Sequence, residues 1–146
     1  MEKNKNICKR FVFLFVLLFL CINIYGCNSI IAEDKLISAT ELIELIEIEQ
    51  APLILDVRSA EEYAEGRVPG AINIDYRELP SRIDEVRNFG RRKIVVYCER
   101  GVRANIAEET LKKAGFTEVL HLEGDMSGWR KRGLKVELSY LWGLNK

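Results

Sequence analysis

Lys93-Ile94-Val95-Val96-Tyr97-Cys98-Glu99-Arg100-Gly101-Val102-Arg103 is the stretch that decides the fold. Its first half, Ile94 to Tyr97, is an unbroken apolar run of strand length. Its second half is a short loop holding one glycine and two arginines, and a helix-forming stretch from Ala104 to Ala114 follows at once. A strand apolar at every position is buried on both faces, as in parallel sheets covered by helices. Cys98 stands at the carboxyl end of that strand, where such sheets bind their ligands. A helix N-terminus and neighbouring cations favour a thiolate there. A structural buried cysteine needs neither the glycine nor the arginine pair.

The same alternation extends through most of the chain. Ser38-Ala39-Thr40-Glu41 has the spacing of a capping box, and Leu42, Ile43, Leu45 and Ile46 recur behind it at helical intervals. Leu53 to Val57 is a second apolar run, followed by a second capping box at Ser59-Ala60-Glu61-Glu62. Gly66 and Pro69-Gly70 interrupt the chain before a strand expected over Ala71 to Ile74. Leu79 to Asn88 is expected to be helical, with Pro80 tolerated near its start. The helix behind Cys98 is predicted from about Arg103 and should stop at Gly115. Val119 to Leu122 reads as a last strand and Asp125 to Lys131 as a short helix. The intervals of 13, 18 and 20 residues between successive strands each exceed the roughly 10–12 that a parallel crossover requires. The expectation is an α/β domain: about five strands, mainly parallel, with helices on both faces.

The N-terminus reads differently. Lys3, Lys5, Lys9 and Arg10 precede the apolar run Phe11 to Ile22. Those twelve residues fall short of the roughly 20 needed to span a membrane, so an export signal is expected. Ile24-Tyr25-Gly26-Cys27 resembles the lipobox of bacterial lipoproteins, although Tyr25 is bulkier than the residues usual there. That resemblance implies removal of residues 1–26 and lipidation of Cys27. The protein would be exported and anchored to a bacterial membrane, on its periplasmic or extracellular face. Residues 27–35 then form a tether, 36–136 the domain, and 137–146 an apolar tail expected to pack against its own domain.

The 120 residues left after removal of 26 from 146 suit one compact core and carry 18 basic against 21 acidic side chains, a net charge of −3. No basic run is long enough to serve nucleic acid, which is excluded as a partner. A monomer is expected. Cys8 and Cys21 leave with the signal and Cys27 is spent on lipid, so Cys98 is the single free thiol. An unpaired cysteine in an exported protein marks a reactive group.

Leu55-Asp56-Val57-Arg58, Glu62-Tyr63, Gly66-Arg67-Val68-Pro69-Gly70-Ala71-Ile72-Asn73, the Cys98 loop, Leu122-Glu123-Gly124 and Gly128-Trp129 follow one another along the chain. Together they resemble a single-domain rhodanese, nearest to the small exported sulfurtransferases of the phage-shock type. The resemblance runs from about Leu36 to Val136. Many relatives have His where this chain has Arg67, a position that is not the family's nucleophile. The resemblance implies that Cys98 attacks the outer sulfur of a small donor such as thiosulfate. It then carries a persulfide, whose sulfur passes to a thiol or cyanide acceptor. No cofactor and no metal enter that chemistry.

Stabilisation of the anionic sulfur should come from donors already oriented. The backbone amides of Glu99, Arg100, Gly101, Val102 and Arg103 are expected to form an anion nest beside the helix start. Arg103 and Arg100 add positive charge, and Glu99 is expected to face solvent. Arg58 is carried as a further substrate-binding candidate beside a structural pairing with a neighbouring acid. His121, the only histidine, reads as an ordinary strand residue, which disfavours a Cys-His hydrolase. Rhodanese-like phosphatases and arsenate reductases use Cys-x5-Arg, whereas this chain has Cys98-x4-Arg103 followed by Ala104. A non-catalytic binding module of the same fold usually lacks the cysteine, which is present here.

Overall fold

The computed structural model describes residues 36–90 and 93–138. The expected signal segment, Cys27 and nearly all of the tail lie outside the described residues. Five strands form one sheet there: β1 (Leu36–Ile37), β2 (Leu53–Asp56), β3 (Ile72–Asn73), β4 (Ile94–Tyr97) and β5 (Val119–Leu122). Their order is β1-β5-β4-β2-β3, and every pairing is parallel. Leu53 to Asp56 lie opposite Ile94 to Tyr97, so the two most apolar runs are the central neighbours. Both are buried along their whole length.

The helices are α1 (Ala39–Glu47), α2 (Ala60–Ala64), α3 (Ile83–Asn88), α4 (Val102–Lys113) and α5 (Asp125–Lys131). Period-two alternation sends Leu55, Val57, Val96 and Cys98 to one face, where they meet Val86 of α3 and Ala104, Ala107 and Leu111 of α4. Ile54, Val95 and Tyr97 point to the other face, against Leu42 of α1, Tyr63 of α2 and Met126 and Trp129 of α5. Helices therefore cover both faces, as expected. Gly115, at φ 92°, closes α4 in the left-handed conformation. Its amide donates to Lys112 O, and that of Phe116 to Leu111 O.

Three expectations change. Leu36–Ile37 supplies an edge strand that two residues are too few to announce by periodicity. The strand expected over Ala71 to Ile74 narrows to Ile72–Asn73. The helix expected from Leu79 begins only at Ile83. Asp75 O accepts the amides of Glu78 and Leu79, and Pro80 has no amide to continue a helix, so 76–82 is a run of turns. At the far end, Glu137 pairs antiparallel with Arg67 by two backbone hydrogen bonds.

From β2 the chain steps outward to β3, then returns across the sheet to β4. The strand order thus reverses between β2 and β4, the crevice where open parallel sheets place ligands. Arg58 and Cys98 follow those two strands.

Candidate active site

Cys98 is where the β4 ladder hands over to the loop. Tyr97 O still accepts the Val57 amide at 3.0 Å. The next amide, of Cys98 itself, leaves the sheet and donates to Asp125 Oδ1 at 2.8 Å. Cys98 O and Glu99 O accept the amides of Met126 and Ser127 at 3.0 and 3.2 Å, so the start of α5 satisfies the first loop carbonyls. Gly101, at φ 93°, then turns the chain into α4. Its amide donates to Cys98 Sγ at 3.0 Å. Any side chain at Gly101 would be strained, and its Cβ would come within 3.2 Å of Asp125 Oδ2.

The amides of Glu99, Arg100, Val102, Arg103 and Ala104 make no backbone hydrogen bond within the described residues. Three of them are the unsatisfied donors that open every helix. The sulfur is nearly enclosed, with Cys98 1% exposed. Buried negative charge needs donors fixed in advance, because water is not there to reorient.

The charged side chains are arranged differently from expectation. Arg103 Nη1 and Nη2 donate to Glu62 Oε2 and Oε1 at 2.6 and 2.8 Å. Those bonds hold the Glu62 carboxyl down at about 2. They also raise Arg103 above its ordinary value, with a smaller contribution from the nearby Cys98 sulfur. Glu62 is in place because it completes the α2 capping box: its Oε2 accepts the Ser59 amide at 3.2 Å and its own amide donates to Ser59 Oγ at 3.3 Å. The box was legible in the sequence; its second use, as the seat of Arg103, was not.

Glu99 is partly exposed, but its carboxylate is paired rather than free in solvent. Its carboxylate accepts two hydrogen bonds from Arg130 Nη1 at 3.0 and 3.2 Å and lies 3.5 Å from Arg58 Nη1. Two cations draw it back against the protein, away from a free position in water. Arg100 is exposed and makes no ion pair or side-chain hydrogen bond among the described residues. Val102 is 72% exposed. The unengaged cation of the loop is therefore Arg100, whereas Arg103 is already held by an acid.

Arg58 is fully buried and paired with Asp56. Its Nε bonds both carboxylate oxygens, and its Nη2 reaches Asp56 Oδ2 at 2.6 Å and Gly66 O at 2.8 Å. The guanidinium also lies over the Tyr97 ring, 5.7 Å from its centre. Arg58 ties the end of β2 to the Gly66 turn and meets the Cys98 loop at Glu99. Arg67 is likewise buried, paired with Glu137 and stacked on Tyr63.

Asp125, for which no site role was expected, and His121 both lie against the loop. Asp125 takes the Cys98 amide, and His121 Nε2 lies 3.1 Å from Asp125 Oδ2. His121 lies in the strand expected, its ring is engaged by two carboxylates, and no hydrogen bond joins it to Sγ. The one signal in the sequence was the i, i+4 spacing of His121 and Asp125, which is too common to single out. A cavity of about 450 Å³ beside Ile37, Pro52 and Lys93 lies at the opposite end of the sheet and includes no residue of the loop.

The Rhodanese-like domain profile matches residues 38–132. A sulfurtransferase of Allochromatium vinosum is 32% identical over 84 residues, covering 58% of this chain and 77% of that protein. Thiosulfate sulfurtransferase 16, chloroplastic, of Arabidopsis thaliana is 38% identical over 93 residues, covering 57% and 78%. Among solved structures, a rhodanese-related protein of Thermoplasma volcanium aligns with a TM-score of 0.60 at 30% identity. That alignment covers 72% of this chain and 99% of that one.

Proposed function

Because this chain belongs to the rhodanese-like domain family, we propose that it moves a sulfane sulfur from a small anionic donor to a thiophilic acceptor through a persulfide on Cys98. The observation that carries the reading is the Gly101 amide on Cys98 Sγ at 3.0 Å, with neighbouring loop amides left without backbone partners. Relatives that bear sulfurtransferase names support it at the family level.

With thiosulfate as donor, Cys98 as thiolate attacks the outer sulfur. The new S–S bond forms as the donor's S–S bond breaks, and sulfite leaves with the electron pair. The persulfide keeps its negative charge on the outer sulfur, where the loop amides can stabilise it. A thiolate or cyanide then attacks that outer sulfur. The acceptor leaves as a persulfide or as thiocyanate, and Cys98 returns as thiolate. Arg103, steadied by Glu62, and Arg100, which has no ion pair among the described residues, add positive charge for the incoming dianion.

A phosphatase reading is disfavoured by the short Cys98-x4-Arg103 loop, which Ala104 follows. A non-catalytic envelope module is the remaining rival, and the retained cysteine argues against it. Exposure to thiosulfate should add one sulfur atom to the intact mass, and thiocyanate should form with cyanide. Cys98→Ser should abolish both without loss of the fold. Substantial activity in the serine variant refutes the mechanism, and faster phosphate-ester hydrolysis than thiocyanate formation favours the phosphatase.

The reading includes placement, in the manner of the small exported phage-shock type. Residues 1–26 act as a lipoprotein signal, and Cys27 carries the lipid. Two acyl chains anchor stably where one is marginal. The seven residues 28–34 span at most about 25 Å extended, which would hold the domain close to the headgroups and outside the cytosol.

A further inference from the structure

Glu108, His121 and Asp125 form a charged trio against the Cys98 loop that the sulfur-transfer step does not use directly. His121 Nδ1 lies 2.6 Å from Glu108 Oε1, and Nε2 lies 3.1 Å from Asp125 Oδ2. A neutral imidazole has one N–H, so two carboxylate partners call for the imidazolium, which donates at both ends. Asp125 first, then Glu108, hold the ring protonated and push it up to about 10. Lys112 faces the outer side of Glu108 at 3.7 Å. The groups around His121 are thus Glu108 and Lys112 from α4 and Asp125 from α5, with Cys98 beyond Asp125.

The trio meets the loop at two points. Asp125 Oδ1 accepts the Cys98 amide at 2.8 Å. A Cβ built on Gly101 would come within 3.2 Å of Asp125 Oδ2 and 3.7 Å of the His121 ring. Asp125 is also 5% exposed and sits at φ 54°, in the left-handed region, which is uncommon for a residue other than Gly though better tolerated by Asp than by most. Such strain persists where the surroundings over-determine it, as they do at functional sites.

A lone carboxylate this close to an anionic sulfur would repel it. With the imidazolium between the two carboxylates and Lys112 beside Glu108, the four groups sum to no net charge, and Asp125 contributes its geometry. We propose that Asp125, backed by His121 and Glu108, is a positioning residue. It takes the Cys98 N–H, fixes the first peptide of the loop, and so aims Sγ at the Gly101 N–H. The inference rests on sulfur transfer at Cys98 being the reaction, but the contacts it names are measurable without turnover.

The test uses the full chain. His121 is the only histidine, so one ring titration followed by NMR reports the trio. Both ring nitrogens should stay protonated beyond pH 8, and Glu108→Gln should lower the midpoint by a unit or more. Asp125→Gly relieves the left-handed backbone and should fold normally. In it the Cys98 amide should exchange at least tenfold faster, and kcat for thiosulfate should fall at least fivefold with KM within twofold. Asp125→Asn, which keeps an oxygen acceptor, should regain much of the amide protection and part of kcat. Unchanged Cys98 exchange in Asp125→Gly, unchanged kcat in that variant, or a ring midpoint near 6.5 in the parent protein overturns the proposal. If the parent protein moves no sulfur at all, the functional reading fails, while exchange and titration still decide whether Asp125 holds the loop.

Discussion

Arg103 and Glu62, 41 residues apart in sequence, are joined by two parallel hydrogen bonds of 2.6 and 2.8 Å. The pair links the N-terminus of α2 to the first turn of α4, because Glu62 also closes the capping box on Ser59. A guanidinium held at two of its five donors loses less freedom when it engages a third group. The arginine beside Cys98 is therefore preset, and the charge of the acid that presets it is balanced in the process.

That relationship predicts distinct effects for the two loop arginines. Arg103→Ala should raise KM for thiosulfate about tenfold or more, since a lost charge-assisted contact is worth about 1.5–3 kcal/mol. It also leaves Glu62 unpaired near the donor. Arg100→Ala should weaken donor use by a smaller factor that vanishes at high salt, as expected of an exposed charge. Steady-state kinetics at two ionic strengths checks both. Equal, salt-independent losses would show that the division between a held and a free arginine is mistaken.

Stability should vary with pH at two separate limbs. The Glu62 carboxyl is lowered from 4.5 to about 2, so the native state binds fewer protons there. Its contribution is complete above about 4.5 and is lost as pH falls through 2. His121 is raised from 6.5 to about 10, so the native state binds more protons there. Its contribution is complete below about 6.5 and is lost as pH rises through 10. Thermal midpoints across pH should show Glu62→Gln flattening the acid limb and His121→Gln the alkaline limb. An alkaline limb equally steep in His121→Gln would remove His121 as its source.

Asp56 and Arg58 are both fully buried, so breaking the pair leaves one uncompensated charge inside. Arg58→Ala should cost about 3–5 kcal/mol of unfolding free energy, measured in urea. Removing both partners should cost clearly less than the sum of the single changes. Strict additivity would mean that the two side chains do not act together.

Placement is tested at Cys27. Cys27→Ala should accumulate unprocessed precursor and take up no lipid label, while sulfur transfer by the purified protein persists. Unchanged processing would return residues 1–26 to an ordinary secretory signal.

Fold class was legible because burial writes itself locally. Runs apolar at every position and of strand length, such as Leu53 to Leu55 and Ile94 to Tyr97, fit a strand covered on both faces, and the intervals between them are long enough for crossovers. That alone set Cys98 at the carboxyl end of a buried strand, with Gly101 and a helix start behind it. β1 escaped notice because two residues carry no period. The Leu79 start failed because helix propensity says nothing of the turns that Asp75 nucleates before Pro80.

What only the tertiary structure decided is which charges are spent. Glu99 turns to Arg130 and Arg58, Arg103 is held by Glu62, and Asp125 reaches back 27 positions to the Cys98 amide. A side-chain charge finds its partner by distance in space, and no local periodicity encodes a pairing between elements brought together by the sheet. The sequence by itself therefore singled out Cys98 as the proposed nucleophile and set its end of the sheet. The folded chain determined the charges around that nucleophile, because each depends on a neighbour from another element.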